Sequence, residues 1–171
     1  MADESENEFP SLSRTSTHDA ANPWCAAPHQ GFMFGYSSLA MDMRALHPQS
    51  AQIGVYWQLY VSNVDPVIKI IHALSFTSHI MTARQDTSQL SKPVEAAIFA
   101  IYHSVIVSMT PREVSERFME ERNVLLSRYR FATEQALARA NFLSTRNFMI
   151  LQALCLFLVS LPEGTFTQSR Y

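Results

Sequence analysis

The pattern of small and apolar residues from Arg128 to Leu161 predicts two consecutive helices, separated by a break at Ser144-Thr145. In the first helix, Ala132, Ala136 and Ala140 recur every four residues, so their side chains form one stripe along the helix. A stripe of small side chains allows a second helix to approach closely. We therefore expect this helix to pack tightly against a neighbour.

The second of these helices is apolar on nearly every side. From Phe148 to Leu161 only Gln152 and Ser160 interrupt the apolar run. A helix of this kind is usually covered by protein on all faces, so the run predicts the buried central helix of an all-α core. Cys155 lies inside it and is expected to be a small core residue, not a reactive thiolate. The run is shorter than the roughly 18 residues that cross a bilayer, so no membrane segment is expected.

Start and stop signals predict a helix near the beginning of the apolar region. Pro48 suits a first helical turn because its φ is fixed and its missing N–H would have no intrahelical partner. This helix is expected to reach about Ser62 and to end at Asn63 and Asp65-Pro66, since a residue before proline avoids the α region. One face is rich in aromatic residues: Ile53, Tyr56, Trp57 and Tyr60.

The next segment is less clearly patterned. Val67 to Ile71 fits either a short helical turn or an extended connector. Ser75 is predicted to cap a helix that carries Phe76, and the polar stretch from Thr82 to Ser91 is predicted to be a loop.

The segment from Val94 to Met109 is again apolar nearly all round and is preceded by a cap and a proline, Ser91 and Pro93. Glu95 lies in the first turn, where a negative charge favours the helix dipole. Because both helices are so apolar, we expect this one to pack directly against the helix from Phe148 to Leu161.

The sequence from Thr110 to Glu113 is a capping box, with threonine as N-cap, proline at N1 and glutamate at N3. Glu113 and Arg117, and Arg117 and Glu121, are four residues apart and are expected to pair on a solvated face. A break is expected near Arg122-Asn123. Together these elements predict an all-α fold, an irregular bundle of about five to six helices.

Composition divides the 171-residue chain into a helical domain with a tail on either side. Residues 1–31 are acidic and polar and are predicted to form a disordered tail, residues 32–161 the helical domain, and residues 162–171 an unstructured tail. The aromatic segment from Phe32 to Tyr36 fits either an extended piece held on the domain surface or a recognition segment for another protein. The N-terminus has no pattern of a secretory signal.

The sequence contains no recognisable catalytic motif. With four glycines and no phosphate-binding loop, and with two cysteines, Cys25 and Cys155, the chain is expected to have no catalytic, cofactor-binding or metal-binding residues. His72, His79 and His103 could form a zinc site only across helices, and core or surface positions are the simpler interpretation. A net charge of −2 gives no field that attracts nucleic acid.

Four arginines could form a basic strip on the later helices, but glutamates are interleaved among them. A mixed solvated face is therefore the preferred interpretation over a phosphate-binding surface. The residues concerned are Arg122, Arg128, Arg130 and Arg139, with Glu116, Glu120, Glu121 and Glu134.

Several collinear segments resemble the regulatory, or middle homology, region of fungal zinc-binuclear-cluster transcription factors. The matching pieces span about residues 32–161 and look like the first third of that region. They are FMFGYSS at Phe32–Ser38, LHP at Leu46–Pro48, Trp57, NVDPVIKIIH at Asn63–His72, EAAIFAIYH at Glu95–His103, RYRFATEQALARANFL at Arg128–Leu143 and LQALCLFL at Leu151–Leu158.

The resemblance implies a helical transcription regulator without enzymatic activity, located in the nucleus and acting through a protein partner, either a full-length transcription factor or a co-regulator. Regulators of this kind often accompany secondary-metabolite gene clusters. The chain has no six-cysteine cluster before Phe32, so no zinc and no direct DNA contact are expected, and it resembles a truncated regulatory domain.

Two alternatives follow from the same observations. A helical module lined with aromatic and methionine side chains could bind a small apolar effector, and a truncated chain could also be a non-functional fragment. Because helices that are apolar all round need neighbours, we also expect exposed apolar surface on this chain.

Overall fold

The computed structural model describes residues 42–161, and the two predicted tails and the segment from Phe32 to Tyr36 lie outside this range. Within it there are six α-helices and no strand, which confirms the all-α bundle. The helices are α1 (Ser50–Leu59), α2 (Ala73–Gln85), α3 (Lys92–Ser108), α4 (Pro111–Phe118), α5 (Arg122–Arg139) and α6 (Phe148–Val159).

Helix α1 begins and ends close to the predicted positions, but Pro48 does not have the predicted role in its first turn. Pro48 lies before the N-cap residue Gln49, so it does not occupy the first turn. The helix continues as a π-helical turn, Tyr60–Val64, before the turn at Asp65. Asp65 itself has an α-helical backbone, so the expectation that it leaves the α region before Pro66 is wrong. Beyond that turn the chain connects to α2 without forming a strand.

Helix α2 starts earlier and ends later than predicted. Its N-cap is His72, whose Nδ1 accepts a hydrogen bond from the Ser75 backbone N–H at 3.4 Å, so the prediction that Ser75 caps this helix is wrong. The helix also continues through Thr82 to Gln85, which shortens the predicted loop. The imidazole takes the capping role because its nitrogen can accept the same backbone donor that a hydroxyl would.

Helix α3 is the central helix of the bundle. Every residue from Val94 to Ile106 is buried, and its most extensive packing is against α5 and α6. Alanines are fully buried on both α3 (Ala96, Ala97, Ala100) and α5 (Ala132), as the small-residue stripe predicted. Small side chains at this crossing let the two backbones approach closely, which places α5 firmly beside α3.

Buried aromatic rings join α3 to the remaining helices. The ring of Tyr56 stacks on Phe118 of α4 with centroids 4.5 Å apart, and it contacts Tyr102 of α3 at 4.8 Å and Tyr129 of α5 at 5.4 Å. Burial raises the pKa of Tyr56 and Tyr102, and raises that of Tyr129 to about 12, because the phenolate is poorly solvated there. These phenols therefore stay neutral and act as core residues.

The capping box and the following break are confirmed. The Glu113 backbone N–H donates to Thr110 Oγ1 at 3.3 Å, and the Thr110 N–H donates to the Glu113 carboxylate at 2.7 Å. The Thr110 N–H and the Thr110 hydroxyl both donate to the Glu113 carboxylate, and these bonds hold the pKa of Glu113 below its usual value. Helix α4 then ends at Met119, which has a left-handed backbone with φ of 58°, and α5 begins at Arg122.

Candidate protein-interaction surface

Helix α6 is fixed at both ends by polar side chains. Asn147 Oδ1 accepts a hydrogen bond from the Met149 N–H at 2.9 Å and so caps the first turn. At the other end, Ser160 Oγ donates to the Leu156 carbonyl at 2.6 Å. In the middle, Gln152 Nε2 donates to the Ile70 carbonyl at 2.6 Å, which ties the helix to the connector before α2.

One face of α6 is buried. Its fully covered side chains are Ile150, Ala153, Leu156 and Phe157, and the Phe157 ring lies 5.2 Å from the ring of His103 on α3. This contact confirms the prediction that α6 packs directly against α3.

The opposite face of α6 is exposed, which corrects the prediction of a buried central helix. Phe148 is 72% exposed, Leu151 42%, Leu158 48% and Val159 58%. Cys155 is exposed as well, so its predicted core position is wrong. The physical reason is that α6 packs mainly on α3 and only slightly on α5, so neighbouring helices cover one side of it.

The exposed side chains form one continuous stripe. With about 100° of rotation per residue, positions 148, 151, 155 and 158 fall on the same side of the helix. This spacing of three and four is the pattern by which helices pack against one another. The stripe consists of Phe148, Leu151, Cys155, Leu158 and Val159; we call it the α6 face, and the expectation of exposed apolar surface is confirmed there.

The α6 face is uncharged along its whole length, since no residue of Phe148–Val159 is ionisable except Cys155. An apolar helical surface without charge can bind another apolar helix or groove, and in the described part of the chain Cys155 has no cluster of further ligands with which to hold a metal ion. The arrangement therefore supports contact with protein rather than chemistry.

The four arginines are bound within the fold and do not form a common basic strip. Arg128 pairs with Glu120 at 2.6 Å, Arg130 with Glu134 at 3.1 Å, and Arg139 with Glu95 of α3 at 3.4 Å. These pairs agree with the mixed-charge interpretation, although Glu134 and Glu95 are buried rather than solvated.

Arg122 has a role that the sequence did not indicate. Its Nε donates to the Met109 carbonyl at 2.9 Å and its Nη2 donates to the Val107 carbonyl at 3.1 Å. The guanidinium thereby satisfies carbonyls at the carboxyl end of α3, where a positive charge also favours the helix dipole.

The predicted i,i+4 pairs of Arg117 with Glu113 and Glu121 are not formed as ion pairs. The ion pair on this helix joins Arg112 to Glu116 at 2.8 Å instead. Glu113 is unavailable because its carboxylate closes the capping box.

The three histidines considered for a zinc site have different structural roles and do not form a common site. His72 caps α2, His79 contacts the ring of Phe76, and His103 is buried between α3 and α6. Within residues 42–161 no group of three or more His, Cys, Asp or Glu side chains could hold a metal ion. None of the helices in this same range is sufficiently long and apolar to pass through a membrane.

Sequence comparison finds relatives that are named as transcriptional regulators. The chain is 40% identical over 115 residues to the aurofusarin cluster transcription factor aurR2 of Gibberella zeae, which covers 67% of this chain and 17% of that protein. It is 31% identical over 137 residues to the transcriptional regulator nsrM of Aspergillus novofumigatus, covering 80% and 19% respectively. It is also 37% identical over 105 residues to the C6 finger domain transcription factor adaR of Aspergillus niger, covering 60% and 14%.

The matched segment is a small part of each relative, since the chain spans less than a fifth of the length of these curated proteins. No family model matches the chain, and no solved structure matches it. These names confirm the resemblance stated from the sequence motifs, and none of them describes an enzyme.

Proposed function

Because this chain belongs by homology to the fungal C6 zinc cluster transcription factors, matching a limited segment of them, we propose that it is a regulatory helical module without catalytic activity. It works in the nucleus and acts through contact with another protein. The observation that carries this proposal is the α6 face, an uncharged apolar stripe that other helices of the described domain leave uncovered.

The partner we propose is a full-length transcription factor of the same family, or a co-regulator that binds one, docking an apolar helix on the α6 face. Charge is absent from the stripe, so recognition depends on the fit of apolar side chains rather than on electrostatic steering. The much greater length of the relatives supports this choice, since more than four fifths of each of these two proteins lies outside the segment shared with this chain. By occupying such a helix, the module would alter the activity of the longer factor.

The regulated genes are proposed to belong to a secondary-metabolite cluster. The support is the naming of two relatives, one an aurofusarin cluster transcription factor and one a pyriculol/pyriculariol biosynthesis cluster transcription factor. DNA is not a proposed ligand of the described residues, because the four arginines considered for a basic strip each bind a carboxylate or a carbonyl of the fold and do not form a continuous basic surface.

Charge placed on the α6 face tests the proposal. The full chain is co-expressed in a fungal host with a full-length family member, and the two are tested for co-purification and for an effect on a reporter gene. We expect Leu151→Glu combined with Leu158→Glu to abolish both, because two carboxylates at the contact must be desolvated. The matched controls are Val67→Glu and Leu74→Glu, which alter apolar side chains that are 81% and 84% exposed elsewhere on the surface.

Retained binding and reporter activity in the α6 double variant would contradict the proposal, as would equal losses in the two controls.

A simpler physical test uses the isolated chain. We expect it to bind a hydrophobic dye or to associate in solution, and the α6 double variant to do so less. A monodisperse monomer with negligible dye binding would remove the basis for a docking surface.

A further inference from the structure

A second site, separate from the α6 face, lies in a cavity between α3 and α5. Its volume is about 310 Å³, at the lower end of the range for sites that hold small molecules. Two rows of α5 side chains spaced four apart form one wall, and α3 forms the other. The lining residues are Arg122, Leu126 and Arg130, then Asn123 and Ser127, and from α3 His103 and Val107.

The cavity carries positive charge that the protein does not fully neutralise. Arg130 uses Nε to pair with Glu134, and Arg122 uses Nε and Nη2 to bind carbonyls of α3. In the described part of the chain, Arg122 Nη1 and both Nη atoms of Arg130 have no hydrogen-bond partner. No acidic side chain is among the residues that line the cavity. The site therefore offers several donors to an anion, and the carboxylate of Glu134, which pairs with Arg130 Nε, does not line the cavity.

His103 adds a buried polar group to this wall. The side chain is 2% exposed, and its Nδ1 lies 3.4 Å from Ser160 Oγ. Burial, together with the charges of Arg130 and Arg122, lowers the pKa of His103 to about 4. The ring is therefore neutral at pH 7 and can face an apolar group or exchange a hydrogen bond without adding charge.

The apolar side chains in the same cavity select the kind of anion. Leu126 lies between Arg122 and Arg130 on one face of α5, and Val107 lies one turn beyond His103 on α3. We propose that this cavity binds a small organic acid, with its carboxylate held by Arg130 and the remaining Arg122 donor and its apolar body against Leu126 and Val107. A guanidinium suits a carboxylate because its planar donors match the two oxygens.

This inference does not depend on the proposed docking function, since the α6 face is not part of the cavity. The two are nevertheless neighbours through His103, which lines the cavity and also contacts Phe157 on the buried side of α6. The binding experiment below needs no protein partner, so its failure would leave the proposal for the α6 face standing.

The test measures binding of 2-naphthoate, a planar acid of about 13 non-hydrogen atoms, to the full chain at pH 7.5 by backbone amide NMR shifts. We expect saturable shifts at residues of the cavity with a Kd of about 1 mM or below. The neutral isostere 2-naphthamide should bind at least about fivefold more weakly, because it lacks the charge-assisted hydrogen bonds. Inorganic phosphate should also bind more weakly, because it has no apolar body.

The variant Arg130→Met keeps an apolar stem and removes the donors, so it should reduce naphthoate affinity to that of the amide. Its matched control is Arg112→Met, since Arg112 forms the same i,i+4 Nε–carboxylate pair, with Glu116, on the exposed side of α4. We expect the control to bind as the wild type does. Ser127→Trp should block both aromatic compounds by filling the cavity.

Equal affinity for naphthoate and naphthamide would overturn the assignment of an acid, and so would unchanged naphthoate binding in Arg130→Met. Shifts confined to other surfaces, or no binding at 10 times the expected Kd of about 1 mM, would overturn the site itself. Thermal unfolding of each variant shows that a lost signal comes from a folded protein.

Discussion

Helices α3 and α6 have similar apolar sequences but opposite environments. Helix α6 has no charged residue, whereas α3 includes Lys92 and Glu95. Even so, α3 is buried on every side from Val94 to Ile106, while α6 exposes a complete face. Hydrophobicity alone therefore does not determine which helix becomes the centre of the bundle.

The difference lies in the neighbours that each helix can accept. Helix α3 has Ala96, Ala97 and Ala100 among its larger side chains, and it packs against α5, α6 and the π-helical turn after α1. Helix α6 has one alanine, Ala153, and that residue faces the core. Small residues on several sides allow several helices to approach, whereas bulky residues on the outer side of α6 leave a surface for a separate partner.

The same substitution in the two helices gives the largest expected contrast. Phe99 of α3 is 0% exposed, and Phe99→Ala should lower the free energy of unfolding by about 3–5 kcal/mol through lost burial and a cavity. Phe148 of α6 is 72% exposed, and Phe148→Ala should change it by less than about 0.5 kcal/mol. Urea unfolding of both variants measures these values, and similar losses would show that α6 is covered after all.

The boundary between the two helices should make stability depend on pH. His103 is buried there, and its pKa is lowered to about 4 by burial, Arg130 and Arg122. The unfolded chain, with an ordinary histidine pKa near 6.5, binds more protons between these values, so stability falls as the pH falls. We expect a loss of roughly 2 kcal/mol in the free energy of unfolding between pH 7.5 and pH 5.

A neutral replacement isolates this contribution. His103→Gln removes the titrating group, so it should remove most of the loss in stability between pH 7.5 and pH 5, whatever its effect on stability at pH 7.5. His79→Gln on α2 should retain the loss. The carboxyl groups whose pKa is lowered, Asp42, Asp86 and Glu113, are present in both histidine variants, so their contribution cancels in the comparison. An unchanged slope in His103→Gln would assign the pH dependence to another group.

Local signals in the sequence predicted most of the helical frame. The capping box at Thr110 acts between residues three apart, and the alanine stripe on α5 repeats every four, so both can be read without knowing the fold. The end of the first helix near Asp65 was predicted at the right place but for the wrong reason, since Asp65 keeps an α-helical backbone with φ of −56° and ψ of −36° despite Pro66.

Contacts between distant residues could not be predicted in this way. Gln152 reaches the carbonyl of Ile70, 82 positions earlier, and Arg139 reaches Glu95, 44 positions earlier. The carbonyls that Arg122 binds and the cavity beside it exist only once α3 and α5 are packed together. An apolar run likewise does not reveal how many neighbours will cover it, which is why the sequence predicted α6, and not α3, as the buried central helix.

The smallest expected change in the free energy of unfolding comes from a substitution on the exposed side of α6. Cys155 lies on the exposed stripe, so Cys155→Ser should change the free energy of unfolding by less than about 0.5 kcal/mol. In a Cys25→Ser background, the Cys155 thiol should react with a thiol reagent in the folded protein at a rate within about tenfold of the unfolded chain.

A thiol on the other side of the same helix provides the comparison. Ala153 is 0% exposed, two residues from Cys155. In a background that carries Cys25→Ser and Cys155→Ser, Ala153→Cys should react only when the protein opens, and therefore far more slowly than Cys155. Equal protection at both positions would mean that the isolated chain already covers the α6 face, and a docking partner would then have to displace that cover before it could bind.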